Sequence, residues 1–332
     1  MSKKRNYPKY KYLFFKARDI FNENGFFVLI DYFFKFLVIT LNFPYGSNFP
    51  YFLWIKKNEK YNKSELEEEI NNFNIKPVIS VIMPVYNISP QYLNKAIESV
   101  LGQNYKFWEL CIYDDASTNK ETISTLVSWK EKKDSRIKIE FGSINKHISY
   151  ASNKAIELAT GKYITFLDHD DEFSSIAFYE IIKEINKNKD IEFLYSDSDK
   201  ITKSSRRFFP VFKKDWSIEL FLTNMYVCHL SVYVREKVVK LGGLRVGYEG
   251  AQDYDLALRY LEDVKEENIF HIKKILYHWR MLDSSTAAGN LMAKSYAIDA
   301  GKRALEDYAK RLNIDAVVVS NKYNCVYKLN NY

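Results

Sequence analysis

From Pro77 onward, short β-branched runs alternate with stretches of helical period, and this alternation demands a mainly parallel sheet covered by helices on both faces. "PVISVIMPVYN" (77–87) is a first strand that Pro84 helps to end, and Ser89 and Pro90 read as the N-cap and first residue of a helix. That helix carries Leu93, Ala96, Ile97, Val100 and Leu101 on one face. "FWELCIYDD" (107–115) is a second strand, Thr118 to Lys132 a helix, "RIKIEF" a strand, and "ISYASNKAIELAT" a helix stopped by Gly161. "KYITFLDHDDEF" (162–173), a helix at 174–187 and "IEFLYSD" extend the series, and a further strand-like run starts at Ile269. Crossovers between parallel strands are right-handed, and ligands bind beyond the carboxyl ends of the strands.

Three candidate strands end in acids: Asp114 and Asp115, then Asp168 and Asp170, then Asp197 and Asp199. All six are expected at one edge of the sheet. Like charges held together raise one another's pKa, so such a cluster needs a partner, and a divalent cation supplies one. Asp-x-Asp at a strand end offers hard oxygen ligands that suit Mg²⁺ or Mn²⁺ and leave positions for substrate phosphates. An EF-hand loop starting at Asp168 is excluded because Phe173 stands where that loop needs Gly. A haloacid-dehalogenase-type phosphatase would carry its acids on the first strand, whereas these follow the fourth.

A length of 332 residues allows about two domains, or one large domain with appendages, and 47% hydrophobic residues exclude disorder. Cys111, Cys228 and Cys325 are odd in number and widely spaced, so neither a disulfide framework nor a Cys-x-x-Cys zinc site is indicated, and a reducing compartment fits. Residues 1–18 hold seven basic side chains and no acid, which accounts for the whole net charge of +7. The remainder is formally neutral, so no basic surface for nucleic acid is expected. "FFVLIDYFFKFLVITL" (26–41) reads as a helix of about 24 Å, short of the roughly 30 Å apolar thickness of a bilayer, and Asp31 and Lys35 interrupt it. Three readings stay open for it: packing on the rest of the protein, lying in an anionic membrane surface beside the basic stretch, and, third, insertion across the membrane. Residues 58–76 are polar and read as a helical linker. Residues 290–312 read as an amphipathic helix, and "AVVVSNKYNCVYKL" as a hairpin turning at 321–324.

Taken in order, "PVISVIMPVYN", "WELCIYDDAS", "ASNKAIELATGKYITFLDHDDEF" and "GAQDYDLALRYLE" resemble the successive motifs of family-2 glycosyltransferases, inverting enzymes of GT-A fold. The resemblance covers about residues 77–287, and "YSDSDKI", "FKKDWS" and "LYHWR" are similar to the branch that builds bacterial surface polysaccharides. It implies an α/β, Rossmann-like GT-A domain at 77–287. Residues 1–76 would be an amino-terminal helical extension and linker, and 288–332 a carboxyl-terminal helix and hairpin.

Carried over position by position, the resemblance implies that Pro84, Tyr86, Asp115 and Asp168 bind the donor nucleotide, with Tyr86 beside the base and Asp115 contacting it. It implies Asp170 as the direct metal ligand and Asp253 as the catalytic base. Gln252 stands where Glu is commoner, and Gln252, Trp279 and Arg280 would meet the diphosphate or the acceptor. His278 would be a further metal ligand or diphosphate donor. The cofactor implied is Mn²⁺ or Mg²⁺, the donor a nucleotide sugar (UDP first) and the acceptor a glycan or polyprenyl-linked hydroxyl. The place implied is the cytoplasm, with peripheral contact at the inner membrane face. Absence of the Gln-x-x-Arg-Trp motif and of later apolar segments implies transfer of a single sugar. The competing classes are a nucleotidyltransferase, which would need a Gly-rich basic loop where "PVYNISPQY" stands, and a non-catalytic carbohydrate-binding relative, which would lack Asp253 or Asp170.

Overall fold

The computed structural model describes residues 50–282, 295–320 and 327–331. The helix expected at 26–41 and the turn at 321–324 lie outside the described residues. Two compact units divide the chain, 1–60 and 61–332. In the first, the described residues form one helix, α1 (Tyr51–Asn58).

The second unit opens with α2 (Lys63–Asn71), whose N-cap Asn62 accepts the Ser64 N–H. Its polarity suggests a linker, but Leu66 and Ile70, four residues apart, are buried in the main core. Glu69 accepts from the Tyr179 hydroxyl and pairs with Lys183. Two apolar positions per helix suffice to dock it when they share one face.

The body then alternates as expected: β1 (Ile79–Val85), α3 (Pro90–Leu101), β2 (Trp108–Asp114), α4 (Lys120–Glu131), β3 (Ile137–Phe141), α5 (His147–Leu158) and β4 (Tyr163–Phe166). These strands pair in parallel in the order β3-β2-β1-β4. All seven residues of β1 and of β2 are buried, as strands covered on both faces must be. Ser89 sits at the N-cap of α3 with Pro90 inside it, although the hydroxyl makes no capping bond.

Beyond β4 the order is not the simple continuation. The elements are β5 (Glu172–Phe173), α6 (Ala177–Lys187), β6 (Phe193–Ile201), β7 (Arg207–Val211), α7 (Ile218–Phe221), β8 (Ser231–Val234), α8 (Arg235–Lys240), α9 (Gln252–Leu261) and β9 (Ile269–Arg280). Strand β8 inserts between β4 and β6, antiparallel to both, while β6 and β9 run parallel. Two-residue β5 pairs with β9 through Glu172 and Phe173 opposite His278 and Tyr277. This pairing lays the acidic loop beside "LYHWR". Helix α10 (Ser295–Arg311) packs against α9, and β10 (Ala316–Ser320) pairs antiparallel with β11 (Tyr327–Asn331) as a hairpin requires. Among the described residues no helix is long and apolar enough to cross a membrane.

A polar cluster ties the amino ends of the parallel strands together. Glu109 of β2 is 6% exposed and accepts from Ser80 Oγ (2.6 Å), Lys138 Nζ (2.6 Å), Thr160 N (2.5 Å) and Gly161 N (3.0 Å). Gly161 is therefore no left-handed cap: a Cβ there would lie 2.6 Å from the Val78 carbonyl, so close approach to the strand is what requires glycine. Burial alone would raise the Glu109 pKa, but the bonds from Lys138, Ser80, Thr160 and Gly161 outweigh it and hold the carboxyl down at about 2. A depressed folded pKa means stability present above the unfolded value, 4.5, and lost as pH falls toward 2. The contribution is about 3 kcal/mol by linkage. The urea midpoint of the parent should fall between pH 4.5 and 2.5, and Glu109→Gln should start lower at pH 7 and fall less over that window. Equal slopes for the two proteins would remove Glu109 from the account.

Candidate active site

A cavity of about 800 Å³ opens at the carboxyl edge of the parallel strands, a size that holds a small ligand. One wall comes from the ends of β1, β2 and β4, through Pro84, Tyr86, Asp115, Asp168 and His169. The rest of its lining comes from the segment before β8 (Met225, Cys228, His229), from the start of α9 (Gly250, Gln252, Asp253) and from Trp279 of β9. The fold thus brings together seven of the ten positions expected from the sequence: Pro84, Tyr86, Asp115, Asp168, Gln252, Asp253 and Trp279.

Their settings differ. Tyr86 is 43% exposed, which leaves a ring face for stacking. Asp115 is buried, and both its oxygens accept the Lys146 N–H, at 3.0 and 3.1 Å. His169 is held by Nδ1 against the Pro84 carbonyl at 3.1 Å. Gln252 accepts the Gly250 N–H at 2.7 Å. Asp253 lies in the first turn of α9, where the helix dipole favours a carboxylate, and Oδ1 accepts the Tyr254 N–H at 2.9 Å. It is not the N-cap, which is Ala251. Gly250 just ahead has φ +87°, and a Cβ there would come within 2.8 Å of the Ala297 side chain, so this turn into α9 needs glycine twice over.

The other three positions do not line the cavity. The Asp170 carbonyl accepts from Arg280 Nε at 2.6 Å, and burial, with the neighbouring Asp168 charge, holds its carboxyl above the ordinary range. Asp171 is fully buried and accepts from the Tyr277 hydroxyl (2.6 Å) and Arg280 N (2.7 Å). Burial and the charges of Asp170 and Asp168 nevertheless push it well above the usual range.

Arg280 is placed away from the cavity lining: its side chain is wholly buried and bound to the carbonyls of Asp170 and Thr202, the Ser205 hydroxyl and Glu172, so it braces the acidic loop. His278 is likewise turned into the fold, with Nδ1 2.6 Å from Asp199 Oδ1, rather than grouped with Asp170 as a ligand. The third acidic pair does not join the edge cluster either. Asp197 meets His271 Nε2 (2.8 Å) and Lys213 N (2.8 Å), and Asp199 meets Arg207 Nε (2.5 Å) as well as His278.

The residues present fit a hard divalent cation in a limited way. Asp168 and Asp170 are adjacent carboxylates whose repulsion a cation would offset, and a diphosphate and water would complete its shell. Two residues escaped the sequence reading, Cys228 and His229. Nothing in "NMYVCHL" carries ligand spacing, and only the fold sets them beside Asp253. Burial drives the His229 imidazole down to about 4, against the pull of Asp253 and Asp170, so it is neutral at pH 7. Its ring stacks on Tyr277 at 4.9 Å between centroids.

Residues 80–242 match the family model described as glycosyl transferase family 2. The chain is 31% identical over 269 residues to an uncharacterized glycosyltransferase of Haemophilus influenzae, covering 77% of this chain and 97% of that one. It is 43% identical over 248 residues to an uncharacterized protein of Sinorhizobium fredii and 32% identical over 267 residues to the O-antigen biosynthesis protein RfbC of Myxococcus xanthus. These matches take in 75% and 80% of this chain but only 27% and 21% of those longer proteins. Among solved structures, S. aureus TarS in complex with UDP-GlcNAc superposes with a TM-score of 0.54 at 17% identity, over 68% of this chain and 65% of that one. The mannosyltransferase PcManGT from Pyrobaculum calidifontis, in complex with GDP-Man and Mn²⁺, gives 0.54 at 16% identity, over 74% of this chain and 72% of that one. At such identity these structures speak for the fold, which is GT-A.

Proposed function

The chain belongs to glycosyltransferase family 2, and from that premise we propose that it moves one sugar from a nucleoside-diphosphate donor, a UDP-sugar first, to a hydroxyl of a glycan or lipid-linked acceptor in bacterial surface polysaccharide synthesis. The observation that carries the reading is that one cavity is lined by Tyr86, Asp115 and Asp168 from the strand ends and by Asp253 from the start of α9. The O-antigen relative and the neighbour solved with UDP-GlcNAc support the substrate class.

In this reading Tyr86 stacks on the base, Asp115 accepts its N–H, and Asp168 holds the ribose. Asp168 and Asp170 would hold Mn²⁺ or Mg²⁺, which when bound supplies Lewis-acid stabilisation of charge on the departing diphosphate. Asp253 accepts the proton of the acceptor hydroxyl as the oxygen attacks the anomeric carbon, because a neutral hydroxyl is a poor nucleophile. The bond from that carbon to the phosphate oxygen breaks on the opposite face, and the configuration inverts. Arg280, by bracing the Asp170 carbonyl, keeps the acidic loop in register with β9.

The domain at 77–287 would carry this chemistry, with α2 as part of its body, and residues 1–45 would hold it against the inner, anionic membrane face near a lipid-linked acceptor. Each basic residue near such a surface contributes about 1 kcal/mol before salt screening. A panel of nucleotide sugars, assayed for nucleotide release with Mn²⁺, should single out one donor. A variant starting at Tyr61 should keep that activity but stop sedimenting with anionic liposomes at low salt. Release from no donor would reject the transferase reading, and a full chain that ignores such liposomes would reject the membrane reading.

A further inference from the structure

Cys228, His229 and Asp253 each present a ligand atom, Sγ, an imidazole nitrogen and a carboxylate oxygen, all within 4.8 Å of one another. The same three line the cavity and a smaller recess at its floor. Their backbone is pinned: Lys213 Nζ donates to the carbonyls of Val227 (3.3 Å) and His229 (2.9 Å), and Cys228 Sγ sits 3.5 Å from the Met225 carbonyl. The His229 ring is wedged between Tyr277 and Trp279. Rings and carbonyls so fixed hold the donor atoms in one place rather than leaving them to loop motion.

We propose that this trio is a site for a thiophilic divalent ion, Zn²⁺ foremost, distinct in its ligands from the hard-cation position at Asp168 and Asp170, and that occupancy shuts the enzyme off. A sulfur, nitrogen and oxygen set is chosen by Zn²⁺ and not by Mg²⁺, which prefers oxygen alone. Three protein ligands leave a fourth position open, and here it opens on the cavity. Bond lengths of about 2.0–2.3 Å bring ligand atoms to about 3.5 Å from one another, so about an ångström of side-chain closure completes the site. Binding forms a metal–sulfur bond and releases the thiol proton to water. Burial and the facing Asp253 charge oppose a bare thiolate, and a cation between them removes that opposition. The Lys213 ammonium nearby works against the ion, but Asp253, Asp170 and Asp168 face the same pair of residues and outnumber it.

The inhibition rests on Asp253 being the base, since the ion would occupy the carboxylate that must take the proton; the binding does not. The test uses the metal-stripped full chain titrated with Co²⁺, an optical stand-in for Zn²⁺. One equivalent should produce a thiolate-to-cobalt charge-transfer band, displaced by Zn²⁺. The band should vanish in Cys228→Ser and persist in Cys325→Ser. His229→Gln should weaken Co²⁺ by more than the ~10²-fold that marks the upper end of losing a merely supporting residue. No band, or a band that survives Cys228→Ser with full affinity in His229→Gln, overturns the site. Micromolar Zn²⁺ should also suppress donor turnover measured in Mn²⁺. A normal cobalt band together with unimpaired transfer by Asp253→Asn would leave the metal site standing and sink the base assignment instead.

Discussion

Asp253→Asn should transfer sugar at least ~10²-fold more slowly than the parent while binding donor nearly as tightly. Asparagine keeps the shape and the position in the first turn of α9, and its amide oxygen can still accept the Tyr254 N–H. What it loses is the capacity to take a proton. The nucleotide is expected against Tyr86, Asp115 and Asp168, so donor affinity measured by calorimetry should change little. Secondary structure should also be retained, because a residue that lines a cavity leaves no void when replaced by an isostere. A proportionate loss of donor affinity and rate would place Asp253 with the nucleotide or the metal, and an unchanged rate would remove it from the chemistry.

Asp170→Asn should abolish metal-dependent turnover without lowering the melting temperature. The second half of that expectation is the unusual one. Asp170 is held above the usual carboxylate range by burial and by Asp168, and a raised acid costs stability once pH exceeds its unfolded pKa. Neutralising it relieves repulsion on Asp168 and on Asp171, so at pH 7 the variant should melt at the same temperature or higher, as calorimetry would read. Arg280 grips the Asp170 carbonyl, not its side chain, so the loop keeps its brace. Full turnover by the unmutated protein in EDTA would end the metal assignment, and a large drop in melting temperature would show that Asp170 is structural.

The half of the fold that was legible is the half built locally. Strand β1 announced itself as a β-branched run and β2 and β4 as short apolar ones, and Ser89-Pro90, the apolar stripe of α3 and the hairpin strands β10 and β11 each lay within a window of a dozen residues. Residues 203–250 offered no such period, and they supply β7, β8 and the Cys228–His229 wall. Acid-tipped strands made a shared edge predictable for Asp115 and Asp168, since parallel strands place all their carboxyl ends on one side.

The chain's own order of residues settled the alternation of strand and helix and the family, because each depends on spacing along the backbone. Which polar groups were spent on the fold was decided only in three dimensions. Asp199 is taken by Arg207 and His278, Asp197 by His271, and Arg280 by four partners drawn from two separate stretches of chain. Most of these partners lie about 70 to 110 positions away in sequence. A charged side chain can be buried only beside a partner, and the pairing of β9 with β6 and with β5 chose most of those partners.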